Sequence, residues 1–247
     1  MTHTELSPAR RISDNGISVD CVIFGFDGER LNVLLLRRTG EIGGISFDDM
    51  KLPGSPIYQD EDLDEAAHRV LKELTGLSNV YLSQFKAFGS KTRTENPRDV
   101  IWLEKESGIK VDRRMVTVAY IALLKIGRSI SRELNGSRAI WVPLGTEGSL
   151  AFDHNQILTE SISQIRRMVS LSPDCIFDLL PRKFTISQLR KLYETILQEK
   201  IDAGNFYKKL SVMPYVVPLD EKETGTPHRA ARLYRFDRVI YRKNHSE

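Results

Sequence analysis

The chain of 247 residues carries 36 Lys and Arg against 33 Asp and Glu, with 40% hydrophobic and 28% charged residues, an ordinary soluble globular make-up. No run approaches the ~18–20 uninterrupted apolar residues of a membrane span, and the start, MTHTELSPARRISDNG, has no apolar core behind its arginines, against a secretory signal. Cys21 and Cys175, each in an apolar run, read as buried free thiols of a cytoplasmic protein, and the five histidines make no metal-ligand spacing with them. No metal, cofactor or membrane is expected.

Residues 1–16 read as a flexible lead-in. VDCVIFGF and LNVLLLRR, separated by DGER, read as a hairpin. TGEIGGISFDDMKLPGSP, rich in Gly, Asp and Pro, has loop chemistry. From Leu63 the apolar spacing turns helical through Ala66, Ala67, Val70, Leu71 and Leu74, and Thr75-Gly76 ends the helix. Strand-like runs follow at VYLSQFKAF, MVTVAYIALLKI and RAIWVPL. A polar stretch, Gly89 to Arg114, separates the first two, and its PRDVIWLEKESG reads as a short helix. FDHNQILTESISQIRRMVS is a further helix, with Asp153 and Asn155 as capping residues.

Pro173 and Pro181 then break the pattern. TISQLRKLYETILQEK is an amphipathic helix opened by Thr185 or Ser187, and DAGNFYKKLSVM is a second. YVVPL and AARLYRFDR are strand-like runs joined by DEKETGTPHR. Helix, turn, helix, hairpin is the outline of a winged helix-turn-helix. Charge agrees with it: Arg182 to Glu247 holds 14 Lys and Arg against 8 Asp and Glu, while the rest holds 22 against 25. A basic module on a neutral body points to a polyanion.

Read back from its end, EDLDEAAHRVLKELTGL resembles the Nudix box, G-x5-E-x7-R-E-U-x-E-E-x-G-U. Ser55 falls at the first Gly, Glu61 at the first Glu and Arg69 at the Arg. Leu71, Glu73, Gly76 and Leu77 match, but Val70 and Leu74 stand where two acids belong. In the family, glutamates one turn apart hold divalent cations against a diphosphate. One remaining helical carboxylate makes hydrolysis improbable.

A Nudix-like body followed by a winged helix resembles the Nudix-related transcriptional regulators, and FDLLPRKFTISQLRKLYETILQEKIDAGNFYKKL with ARLYRF matches their C-terminal pattern. The resemblance implies an α+β chain, a Nudix-type α/β/α sandwich followed by a winged helix-turn-helix. The sensor and dimerisation domain would span residues 17–155, a linker helix and connection 156–180, and the DNA-binding domain 181–247. It also implies a cytoplasmic homodimer that binds operator DNA and senses an ADP-ribose-type nucleotide or a pentose-like sugar, without catalysis. The alternative is a working Nudix pyrophosphohydrolase with an appended nucleic-acid-binding domain.

Candidate DNA contacts are Asn205, Tyr207, Lys208 and Lys209 on the second helix, which enters the major groove in such folds. Thr185, Ser187 and Gln188 open the first helix, and His228, Arg229 and Arg232 belong to the wing. Phe206 and Leu210 read as core. By resemblance, the effector pocket lies between the box helix and the strands. Its candidates are Arg37, Arg38, Lys51, Val70, Glu73, Leu74, Arg93 and Arg98, with Arg113 and Arg114 as further phosphate or ion-pair groups. Core packing is the simpler reading of Val70 and Leu74, and Arg69 and Glu73 read as a helical ion pair.

Overall fold

The computed structural model describes residues 13–224 and 230–245. A mixed seven-stranded sheet is built from β1 (Ser13–Phe26), β2 (Leu31–Ile42), β3 (Ile45–Lys51), β4 (Gly54–Tyr58), β5 (Ser83–Phe88), β6 (Val116–Lys125) and β7 (Ala139–Pro143). Its helices are α1 (Leu63–Thr75), α2 (Pro97–Ser107), α3 (Arg128–Glu133) and α4 (His154–Leu171). After a 3-10 segment (Pro173–Leu179) come α5 (Ile186–Leu197), α6 (Ala203–Ser211), the two-stranded β8 (Val216–Lys222) and β9 (Arg232–Phe236), and α7 (Arg238–His245).

The alternation of β1 builds the layers. Val19, Cys21 and Ile23 point to α1, packing with Ala66, Ala67, Val70 and Leu71. Val22, Phe24 and Phe26 point the other way, into a core shared with Ile157, Leu158 and Ile165 of α4. That second core is continuous with Ile176 and Phe177 of the 3-10 segment and with Leu189, Tyr193 and Phe206 beyond it. So α4, expected as a connection, is packed along its length between the sheet and the C-terminal helices.

The expected hairpin forms, with Phe24 opposite Val33 and Phe26 opposite Leu31. β1 keeps the parallel β6 on one side from Ile17–Val116 to Phe26–Lys125 and pairs on the other with β2 at Phe24–Phe26 and with β4 at Ser18–Asp20, while β2 takes β7 and β3. The strands thus splay, opening the cleft described below. The Gly- and Asp-rich stretch is not the loop expected from its composition. Gly43 and Gly44, at φ 58° and 80°, make a two-residue turn between β2 and β3. Two consecutive positive φ values suit a hairpin turn and glycine reaches them freely, so the glycines that suggest a loop close a hairpin instead.

α1 begins and ends as its residues dictate. Asp62 accepts from Glu65 N–H, Glu65 reaches back to the cap, and Gly76 closes the helix. At α4 the capping expectation fails. Asp153 occupies the N-cap position but makes no side-chain cap bond, because its carboxylate is taken by Arg93. Asn155 secures the preceding loop, accepting from Leu150 N–H at 2.8 Å and donating to Gly148 O at 2.9 Å. Residues 13–16 of the expected lead-in belong to β1, and residues 1–12 lie outside the described residues. α3 and α7 had no counterpart in the sequence reading.

Candidate effector cleft and DNA-binding face

A cleft of about 490 Å³ opens between α1, the splayed strands and α2. Leu36, Arg37 and Arg38 of β2, Lys51 of β3, and Gly54 to Pro56 of β4 line one side. Arg69, Glu73 and Leu74 of α1 face Trp102, Leu103 and Glu106 of α2, with Phe152 and Arg138 also on the lining. The volume falls in the range of ~300–1,000 Å³ usual for small-molecule sites.

Each expected effector residue has a definite place. Arg37 sits on the rim, paired with Asp48 at 2.8 Å. Arg38 is 1% exposed, held by Asp49 at 2.6 Å and Asp99 at 2.7 Å among the rings of Phe47, Trp102 and Phe152. Lys51 donates to Gly54 O at 2.7 Å, and burial pushes its ammonium down to about 8. Glu73 and Leu74 line the cleft as expected.

Val70 does not. It is 0% exposed among Ala66, Ala67 and Leu71, on the side of α1 that packs against the sheet. Arg98 is likewise absent from the lining, because its guanidinium turns to Asp49 and to Ser46 O. Arg93 is spent internally, bridging Asp20 at 2.6 Å and Asp153. Arg113 and Arg114 are exposed and do not line the cleft, Arg113 lying 3.5 Å from Asp112.

Beneath Lys51 lies a charged knot that the sequence reading missed. His154 Nδ1 accepts Leu52 N–H at 2.9 Å, so the proton of the neutral ring sits on Nε2, facing Asp20 Oδ1 at 3.4 Å. Burial lowers the imidazole pKa and keeps it neutral. Burial works against the Asp20 charge too, but His154 and Arg93 outweigh it and hold the carboxyl well below the usual range. Gly54 is required there, since a Cβ would meet Asp20 Oδ1 at 1.8 Å. A lone Asp inside the apolar run VDCVIF was the available signal, because a buried charge must have partners.

The acids of the box helix do not assemble a cation site. Glu61 accepts from Arg69 at 2.5 Å and from Tyr58 N–H at 2.8 Å, and Glu73 pairs with Arg69 at 3.1 Å. With Val70 in the core and Leu74 on the wall, no group of three His, Cys, Asp or Glu among the described residues is arranged to hold a metal ion. The donor set does not fit a divalent cation held against a diphosphate.

In the C-terminal part, Phe206 is fully buried and Leu210 packs beside it, as expected. The opposite face of α6 exposes Asn205, Tyr207 and Lys208, Tyr207 to 58%. Lys209 leans back, its Nζ 4.1 Å from the centre of the Tyr193 ring. Thr185 is not available to a phosphate. It is 3% exposed, and it and Gln188 satisfy each other in a capping box, at 3.2 and 2.9 Å. Ser187 remains exposed at that helix start. On the wing, Arg232 donates to Leu219 O at 2.8 Å and pairs with the exposed Asp220 at 3.1 Å. His228 and Arg229 lie outside the described residues. No helix among the described residues is long and apolar enough to cross a membrane.

This arrangement agrees with known families. The NUDIX domain family model matches residues 14–157, more than half of the chain. The chain belongs to the NUDIX family. A second model, the NrtR DNA-binding winged helix domain, matches residues 176–236. It is 29% identical over 224 residues to the ADPR responsive transcriptional repressor NtrR of Acinetobacter baylyi, covering 89% of this chain and 81% of that one. Shewanella oneidensis NrtR shares the fold at 24% identity and a TM-score of 0.65, covering 90% of this chain and 94% of its own. The MutT/nudix family protein from Enterococcus faecalis does so at 21% identity and a TM-score of 0.61, with 95% and 90% covered.

Proposed function

We propose that this chain is a cytoplasmic, metabolite-responsive transcriptional regulator that binds operator DNA as a homodimer and has no hydrolase activity. The observation that carries the reading is α6. Its inner side is anchored by Phe206, and its outer side offers Asn205, Tyr207 and Lys208 to a groove. The A. baylyi relative, described as an ADPR responsive repressor, supports it. The proposed division keeps sensing and dimerisation in residues 17–155, the connection in 156–180 and DNA binding in 181–247.

Of the two effector classes that the resemblance implies, the cleft favours an ADP-ribose-type nucleotide over a lone pentose. About 490 Å³ is ample for two sugars, a base and a diphosphate, and Arg37, Lys51, Arg69 and Arg138 around it suit an anion. Arg37, Arg38, Lys51, Glu73 and Leu74 are the proposed effector residues retained from the sequence. Ser187, Asn205, Tyr207, Lys208 and Arg232 are the DNA-facing ones, with Lys209 secondary.

The test is a thermal-shift panel of ADP-ribose, NAD, sugar phosphates and pentoses, run beside a turnover assay with Mg²⁺ or Mn²⁺. A ligand bound only to the native state raises its stability by mass action. The reading expects a shift with ADP-ribose and no product above a blank. Hydrolysis abolished by Glu73→Gln would instead establish the enzyme.

A further inference from the structure

Two buried donors beside the cleft have no acceptor among the described residues. Arg38 Nη1 and Trp102 Nε1 lack hydrogen-bond partners among the described residues, although both residues belong to the cleft lining. They are neighbours, the Arg38 Cζ lying 5.4 Å from the Trp102 ring centre. Buried N–H groups are rarely left unpaired, because an unmade bond costs stability. Their surroundings are electrically balanced, with Arg38 and Arg98 set against Asp49 and Asp99. Nothing there asks for a phosphate.

The third member of this corner is Phe152. Its ring lies 5.7 Å from Arg38 Cζ and lines both the cleft and the smaller pocket over Asp20 and His154. It is a non-glycine residue at φ 55°, a conformation that persists only where the surroundings impose it. Asp99 imposes it, accepting Phe152 N–H at 2.9 Å while bonding Arg38 through its other oxygen. The next residue, Asp153, is gripped by Arg93, and α4 starts immediately after. Arg93, Asp99 and Trp102 all come from the polar stretch between Gly89 and Arg114.

We propose that Arg38, Trp102 and Phe152 form a closed subsite for an uncharged hydrogen-bond acceptor of the effector, and that filling it shifts the start of α4. The proposal rests on the effector reading above. A sugar hydroxyl or a base ring nitrogen has the required chemistry. Reaching the two donors requires the Phe152 ring to move, and moving it releases Phe152 N–H from Asp99 and relaxes the strained backbone. The far half of α4 is tied to the winged helix by Arg166, which donates to Ile196 O at 2.9 Å, and by Ile165 and Val169 in the core shared with Leu189. A displacement at Phe152 therefore reaches the DNA-binding helices through one packed helix.

Trp102→Phe tests the subsite in the full chain, because it keeps a ring and removes only Nε1. The melting temperature without ligand should be unchanged or higher, since an unpaired donor is gone. ADP-ribose should bind about tenfold more weakly by calorimetry, as expected for one lost hydrogen bond. The loss should be equal at about 50 and about 500 mM salt, because an uncharged acceptor is not screened. Unchanged affinity would overturn the subsite alone, and a loss that vanishes in high salt would reassign the donors to a phosphate and overturn its class. Failure of the wild type to bind ADP-ribose would remove the effector reading and the subsite with it. Arg166→Met, which cuts the tie from α4 to Ile196 O, tests the relay: ADP-ribose should bind as to the wild type but alter DNA affinity less. A full DNA response in that variant would overturn the coupling.

Discussion

Arg69 and Glu61 hold each other across eight residues at the mouth of the cleft, Nη2 to Oε1 at 2.5 Å, with the Glu61 side chain 3% exposed. The first acid of the Nudix box is thereby a structural anion that also accepts Tyr58 N–H and ties β4 to α1. Removing one partner of a buried pair leaves the other uncompensated, typically at a cost of ~3–5 kcal/mol. Glu61→Ala should destabilise by that order in urea unfolding, and Glu61→Leu combined with Arg69→Met should recover most of it. A loss below ~1 kcal/mol for Glu61→Ala would reduce the pair to surface strength.

Lys51 gives stability a pH dependence. Its ammonium is pushed down from 10.5 to about 8 in the folded chain by burial, so the unfolded chain binds more protons between those values. Stability contributed by this group therefore rises with pH across that window. Burial raises the thiols of Cys21 and Cys175, which act in the opposite sense, so the wild type must be compared with Lys51→Met. The wild type should gain about 1–2 kcal/mol on the variant from pH 8 to pH 10, short of the full ~1.4 kcal/mol per unit because Lys51 is only partly buried. Parallel curves would contradict the shift.

On DNA, Asn205 and Lys208 should separate base reading from phosphate binding. Asn205→Ala should cost ~1–3 kcal/mol per half-site on the cognate duplex and little on a scrambled one. Lys208→Ala should weaken both duplexes alike and flatten the log K against log salt slope by ~0.9 per contact. Arg232 shares its charge with Asp220, so Arg232→Ala should change the slope by less than Lys208→Ala does. Fluorescence anisotropy at several salt concentrations measures all three. Equal losses on both duplexes for Asn205→Ala would remove it from base readout.

Operators with paired half-sites call for a two-fold protein. Light scattering on the full chain at micromolar concentration should give twice the single-chain mass of 28.2 kDa. A single-chain mass would contradict the dimer.

What was legible in the sequence was local. The helical spacing from Leu63 to Leu74 and the closing Gly76 announce α1, and the Phe206–Leu210 spacing shows which side of α6 is buried. Two local readings failed because one residue type serves two purposes. Gly43 and Gly44 make a hairpin turn rather than a loop, and Asp153 answers Arg93 instead of capping α4. The heart of the site was not legible because its bonds join distant residues: 73 positions separate Arg93 from Asp20, and 102 separate His154 from Leu52. No periodicity or cap motif encodes such pairings. The polar stretch around Trp102 gave no hint of a cleft wall, since its buried face is set by Arg38 and Phe47 on other strands.

Effector binding in the cleft and DNA binding at the α6 face are proposed to be coupled. The most direct measurement is anisotropy of a labelled duplex, selected by the protein from a random library, titrated with full-length chain in the absence and presence of saturating ADP-ribose. Coupling of the usual size changes an affinity by about 5–150-fold, and the duplex must change ADP-ribose affinity by the same factor. A shift of at least about fivefold is expected, matched in the reciprocal titration. Superimposable curves, with calorimetry showing ADP-ribose bound throughout, would contradict it.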